Sequence, residues 1–120
     1  MATPTHIVPK DWGEEHWIVN REYCGKLLKI RKGHRCSLHY HKVKDEVFYV
    51  VHGRMLLELG GEEAILEPGD HRHVAPGAIH RMTGLTDVDL IEFSTHHDDA
   101  DSFRVERGGA IDLATLGLPA

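Results

Sequence analysis

Residues 33–53 read GHRCSLHYHKVKDEVFYVVHG. Gly33, His39, His41, Glu46 and Gly53 stand in this stretch with five, one, four and six residues between them. CSLHYH (36–41) alternates in polarity, and EVFYVVH (46–52) is rich in β-branched and aromatic residues, so both read as strands. Residues two apart on a strand share a face, roughly 6.6 Å apart along the chain. His39 and His41 therefore project side by side. If the second strand pairs back antiparallel, Glu46 faces the same point. Neutral imidazoles with one carboxylate suit a divalent ion of the Zn, Mn, Fe, Co or Ni type.

Working outward, 25–31 alternates before this unit, and 54–59 and 62–67 flank Gly60-Gly61, a two-residue hairpin turn. Pro68-Gly69-Asp70 and Pro76-Gly77 punctuate further strands at 71–75, 79–83 and 88–94. No segment between 20 and 95 sustains a period of 3.6. Seven or eight short strands separated by turn signals predict an all-β sandwich or barrel. His80, just after Pro76-Gly77, brings a fourth ligand from a separate strand and leaves coordination positions open for water or substrate. The tail, 110–117, has the makings of one short helical turn.

The chain has 120 residues, 41% hydrophobic and 28% charged, which predicts a single globular domain. Its boundaries are read as a barrel core at about 20–95, an N-terminal arm at 1–19 and a C-terminal extension at 96–120. A net charge of −5 argues against a nucleic-acid or anionic-membrane partner. No apolar run reaches the roughly 18 residues of a membrane span, and the start shows no signal-peptide pattern, so a cytoplasmic location is expected. Cys24 and Cys36 are too few for a disulfide framework and are expected to be reduced thiols. Eleven histidines are the anomaly of the composition.

The two units resemble the two signature motifs of the cupin superfamily. The first, G-x5-H-x-H-x4-E-x6-G, is met at every position. The second is met by Gly69, Gly77 and His80, and departs at Ala75, where proline is usual, and at Gly84, where asparagine is usual. The resemblance implies a double-stranded β-helix, or jelly-roll barrel, holding one divalent metal ion on His39, His41, Glu46 and His80. A narrower resemblance is to the cupin domain of type II mannose-6-phosphate isomerases. Lys10-Asp11-Trp12-Gly13, Ser37-Leu38, His80-Arg81, Leu90-Ile91-Glu92 and the segment 101–106 (DSFRVE) carry it. That family usually has glutamine at the position of His39 and proline at that of Asp11, and its closing tyrosine-glycine-arginine is not visible after Glu106.

This resemblance implies aldose–ketose isomerisation of a phosphorylated sugar. Glu92, acidic among Leu90, Ile91 and Phe93, reads as a general base, a partner of a ligand histidine or a polar-face residue. Arg104 and Arg81 are phosphate candidates. Lys26, Lys29, Arg31 and Arg35 read either as a solvated strand face or as inward groups able to hold a phosphate. Phe48 and Val50 share the face of Glu46 and should line the barrel near the metal. Tyr40 and Leu38 should face away. His52, His71, His73, His96 and His97 are expected at exposed or rim positions, and Trp12 and Trp17 in packing. Two other readings stand beside the isomerase: an Fe(II)-dependent dioxygenase, and a non-enzymatic module binding a sugar or other effector. A homodimer is expected to cover open sheet edges.

Overall fold

A computed structural model describes residues 6–118. It is all-β, with two short 3-10 turns at Asp99–Asp101 and Leu113–Leu116. The strands are β1 (His6–Lys10), β2 (Gly13–Asn20), β3 (Tyr23–Ile30), β4 (His34–Arg35), β5 (Leu38–Tyr40), β6 (Glu46–His52) and β7 (Met55–Leu59). They continue with β8 (Glu62–Leu66), β9 (His71–Val74), β10 (His80–Gly84), β11 (Val88–Thr95), β12 (Phe103–Glu106) and β13 (Gly109–Ala110).

Two antiparallel sheets face each other as a jelly roll. One has the order β1-β2-β3-β11-β6-β9. In the other, β10 is central: β7 and then β8 lie on one edge, and the interrupted strand β4–β5 lies on the other, with β13 and β12 outside it. The Gly60-Gly61 turn joins β7 to β8 as expected, with φ of +59° and +86° at its two residues. Gly53 is required for a different reason. Its φ is +88°, and a side chain there would run into the Asp87 carbonyl and come within 2.7 Å of Thr86 Oγ1.

The sequence pattern and the fold differ at both ends. Residues 6–19 of the expected arm fall in β1 and β2, which extend the first sheet; residues 1–5 of that arm lie outside the described residues. The expected C-terminal extension contributes β12 and β13 to the second sheet, followed by the anticipated helical turn at Leu113–Leu116; residues 119–120 lie outside the described residues. These pieces were hard to read because they are short or polar. HIVPK carries a proline, tolerated on an edge strand, and GEEHWIVN alternates only weakly.

Inward residues of both sheets meet in one core. Leu28, Ile30, Phe48, Val50, Val88 and Leu90 come from the first sheet, and Met55, Leu57, Leu66 and Met82 from the second. Burying each such side chain contributes roughly 1.5–3 kcal/mol against the chain entropy of folding. This core fills one half of the space between the sheets. The other half is a cavity of about 580 Å³.

Candidate metal centre

The second half stays open because its inward positions are polar. Pairing sets Trp17 beside Lys26, Lys26 beside Glu92, and Glu92 beside Phe48, in one row across the first sheet. One row away, Cys24, Ser94 and Glu46 are likewise neighbours. The opposite sheet brings His39 of β5 directly across from His80 of β10. His41 follows β5 by one residue.

The four expected ligands converge. The candidate nitrogens of His39, His41 and His80 all lie within 4.8 Å of one another. Glu46 Oε2 is 3.5 Å from His41 Nε2 and 3.3 Å from His80 Nε2. Two nitrogens bound at about 2.1 Å to one ion sit at most about 4.2 Å apart, so small side-chain shifts complete the set.

The hydrogen bonds fix which atoms face inward. His39 Nδ1 lies 2.7 Å from the Ser37 carbonyl, His41 Nδ1 2.8 Å from the Asp101 carbonyl, and His80 Nδ1 3.0 Å from the Ala78 carbonyl. A carbonyl only accepts, so each Nδ1 carries the proton and each neutral ring turns an Nε2 lone pair to the centre. Glu46 Oε2 and His80 Nε2 are buried without a hydrogen-bond partner. Both are acceptors and they face each other. A single proton satisfies one such pair, whereas one cation satisfies three imidazoles and a carboxylate together. The donor set fits a divalent metal.

The electrostatics keep His39, His41 and Glu46 in a form able to bind a metal. Burial, reinforced by the neighbouring His80, pushes His39 down to about 3. Burial and then Lys44 lower His41. Burial opposes ionisation of Glu46, but the Lys44 ammonium outweighs it and holds the carboxyl below its usual range.

Lys44 is the residue that the sequence pattern missed. It lies in the segment 42–45 (KVKD), which reads as an exposed loop, yet it is 3% exposed. Its Nζ lies 3.3 Å from Glu46 Oε1 and 3.2 Å from Glu92 Oε2. Burial works against its charge, and the two carboxylates overcome this and raise its pKa. Asp101 secures the loop by accepting from the backbone N–H groups of Lys42, Val43 and Lys44. His97, expected at the rim, lines the cavity and places Nδ1 3.0 Å from Lys44 Nζ.

Glu92 faces the cavity beside the ligands, 4% exposed, with Oε2 accepting from Ser94 Oγ at 2.8 Å as well as from Lys44. Arg104 and Phe48 also line the cavity. Val50 is fully buried in the core and does not reach the cavity wall. Arg81 is turned away, because its neighbour His80 takes the inward position on β10. Its guanidinium pairs with Glu58 on β7 at 3.0 Å and with Glu106 on β12 at 3.4 Å. Tyr40 faces outward as expected, stacked on Phe103, and Cys24 and Cys36 are buried free thiols.

Residues 26–96, more than half of the chain, match the family model described as Cupin domain. The chain belongs to the cupin family. An uncharacterized protein of Aquifex aeolicus (strain VF5) is 41% identical to this cupin over 70 residues, covering 57% of this chain and 58% of that one. Quercetin 2,3-dioxygenase of Bacillus subtilis (strain 168) is 41% identical over 49 residues, which cover 41% of this cupin and 14% of the dioxygenase. The cupin thus spans less than two thirds of either relative. Among solved structures, KdgF from Halomonas sp. superposes with a TM-score of 0.68 at 25% identity, over 72% of this chain and 81% of that one. Among the described residues, no helix is long and apolar enough to cross a membrane.

Proposed function

We propose that this cupin is a metal-dependent enzyme that isomerises an aldose–ketose pair of a phosphorylated sugar or a similar polyhydroxylated anion. The observation that carries the reading is Glu92, a buried carboxylate that belongs to the same cavity as the ligand set but is held by Lys44 and Ser94. His39, His41, Glu46 and His80 would hold a divalent ion, which would supply Lewis acidity toward the substrate's oxygens. Glu92 takes a proton from one carbon and returns it to the next while the hydroxyl proton passes from one oxygen to the other, with Oε2 anchored and Oε1 free of any hydrogen bond to the described residues. Lys44 holds that carboxylate in place. Phe48 forms an apolar wall, and Arg104 at the mouth takes the phosphate.

Metal analysis tests the first half of this reading: wild type carries about one divalent ion per chain and His41→Ala loses it. Turnover tests the second half: metal-replete protein interconverts a hexose or pentose phosphate, and Glu92→Gln abolishes turnover with metal content unchanged. A metal-replete protein that turns over no such sugar overturns the isomerase. The 41% identity with quercetin 2,3-dioxygenase over 49 residues favours a second reading, an Fe(II)-dependent dioxygenase. Substrate-dependent oxygen uptake that requires iron distinguishes it. Saturable sugar binding without product marks the non-enzymatic module.

A further inference from the structure

Lys26 occupies the centre of the inward row of the first sheet, between Trp17 and Glu92, and lines the cavity. Its side chain is 2% exposed. Unlike Lys44, it has no hydrogen bond among the described residues. The nearest carboxylate oxygen, Glu15 Oε1, is 3.8 Å away and already accepts from Trp17 Nε1 at 2.9 Å. The ammonium rests 4.1 Å from the centre of the Trp17 ring, so one side is covered by an aromatic face. Burying an ammonium without hydrogen-bond acceptors is costly, and a purely structural role would be served as well by methionine.

The charges around the cavity point the same way. Lys10, Lys26, Lys44, Arg104 and Arg107 line it, and so do Asp11, Glu15, Glu46, Glu92 and Asp99. The five positive and five negative groups cancel. A divalent ion on the ligand set leaves the lined space with two positive charges in excess, which an anionic ligand neutralises.

We infer that Lys26 is an oxyanion-binding residue of this cavity, receiving the carboxylate or phosphate of a small polyhydroxylated ligand. This rests on the proposal that the cavity binds such a ligand, and it moves the charge-recognising group from the mouth to the wall beside Glu92. Adjacent strands are about 4.8 Å apart, so an anionic group at Lys26 and a reacting carbon at Glu92 belong to one small molecule. Trp17, against the ammonium, reports its occupancy.

The test titrates inorganic phosphate, acetate and malonate, at constant ionic strength set with chloride, into wild type, Lys26→Met and Lys26→Arg of matched metal content. Tryptophan fluorescence and calorimetry read binding. Wild type is expected to saturate with at least one of the three. Lys26→Met, which keeps the packed stem, weakens that binding about tenfold or more, the equivalent of one charge-assisted hydrogen bond. Lys26→Arg retains it and shows that the charge matters. Preference for phosphate or for the carboxylates identifies the anionic group. Equal binding by Lys26→Met and wild type, or no saturable response in wild type, overturns the assignment. Lys26-dependent binding in a protein that isomerises no sugar keeps the oxyanion site and removes the isomerase. Sugar-phosphate turnover with KM unchanged in Lys26→Met does the reverse.

Discussion

Replacing Lys44 by methionine removes the ammonium that bridges two buried carboxylates and leaves the side-chain volume nearly intact. Its contacts are 3.3 Å to Glu46 and 3.2 Å to Glu92, with all three side chains at most 5% exposed. At an effective dielectric of about 20, each contact is worth roughly 5 kcal/mol of attraction. Much of that sum offsets the desolvation of three charges, and breaking such a buried set by removing one partner costs about 3–5 kcal/mol. For a domain of this size that corresponds to a drop in Tm of roughly 12–20 °C. The measurement is denaturant unfolding of chelator-treated Lys44→Met against wild type at several pH values. In wild type, Glu46 is held below its usual range, so its contribution to stability is present above about pH 4.5 and lost on acidification. The variant lacks that contribution from the outset, so the two stability curves converge as pH falls. Adding Glu92→Gln to Lys44→Met removes one stranded charge and recovers part of the loss. A penalty below about 1 kcal/mol at pH 7, the size expected of an exposed pair, refutes the buried charge link. So does a penalty that neither pH nor Glu92→Gln alters.

Other outcomes follow from the same geometry. Phe48→Ala, at a position 1% exposed, loses about 3–5 kcal/mol of stability in thermal or chemical unfolding. Asp101→Ala frees the N–H groups of residues 42–44 while the carbonyl that orients His41 remains; a roughly tenfold weaker metal affinity by competition with a chelator is expected. In metal-free protein, His39 is held down to about 3, so the unfolded chain binds its proton first. Stability is therefore full above about pH 6.5 and falls as pH drops toward 3, by at most about 5 kcal/mol, and His39→Gln flattens that slope in pH-dependent unfolding. Gly108→Ala places a Cβ against the Arg35 carbonyl oxygen and 2.6 Å from the Cys36 carbonyl carbon. It should displace the C-terminal strap from β4–β5 and lower Tm by several degrees in a melting scan.

The convergence of His39, His41, Glu46 and His80 was legible because their spacing is that of a recurring motif, and strand periodicity places His39 and His41 on one face. The barrel was legible for a related reason: its turns need Gly and Pro where the sequence has them. The charge network was not. Lys44 is buried only because opposing sheets close over it, and a lysine in KVKD carries no local mark of that. Lys26 shares the face of Leu28 and Ile30, which left its inward reading open beside the solvated one. Arg81 shows the converse: sharing a motif with ligand His80 says nothing of orientation, since adjacent strand residues point to opposite faces. β1 and β2 escaped notice because edge strands rely on backbone pairing with a neighbour more than on their own apolar pattern.

The three imidazoles are aimed by carbonyl oxygens of Ser37, Ala78 and Asp101, which are main-chain atoms that every amino acid possesses. Alignment of the imidazoles is therefore written into the path of the chain, a path that the Asp101 carboxylate secures and to which Ser37 Oγ adds a contact of 3.1 Å with His39 Nδ1. Asp99, Ser102, Arg104 and Arg107 border the cavity and can be exchanged for other residue types, provided the backbone holds its course, without re-solving how the imidazoles are aimed. In this architecture, what the centre grasps and what the cavity admits are free to change separately.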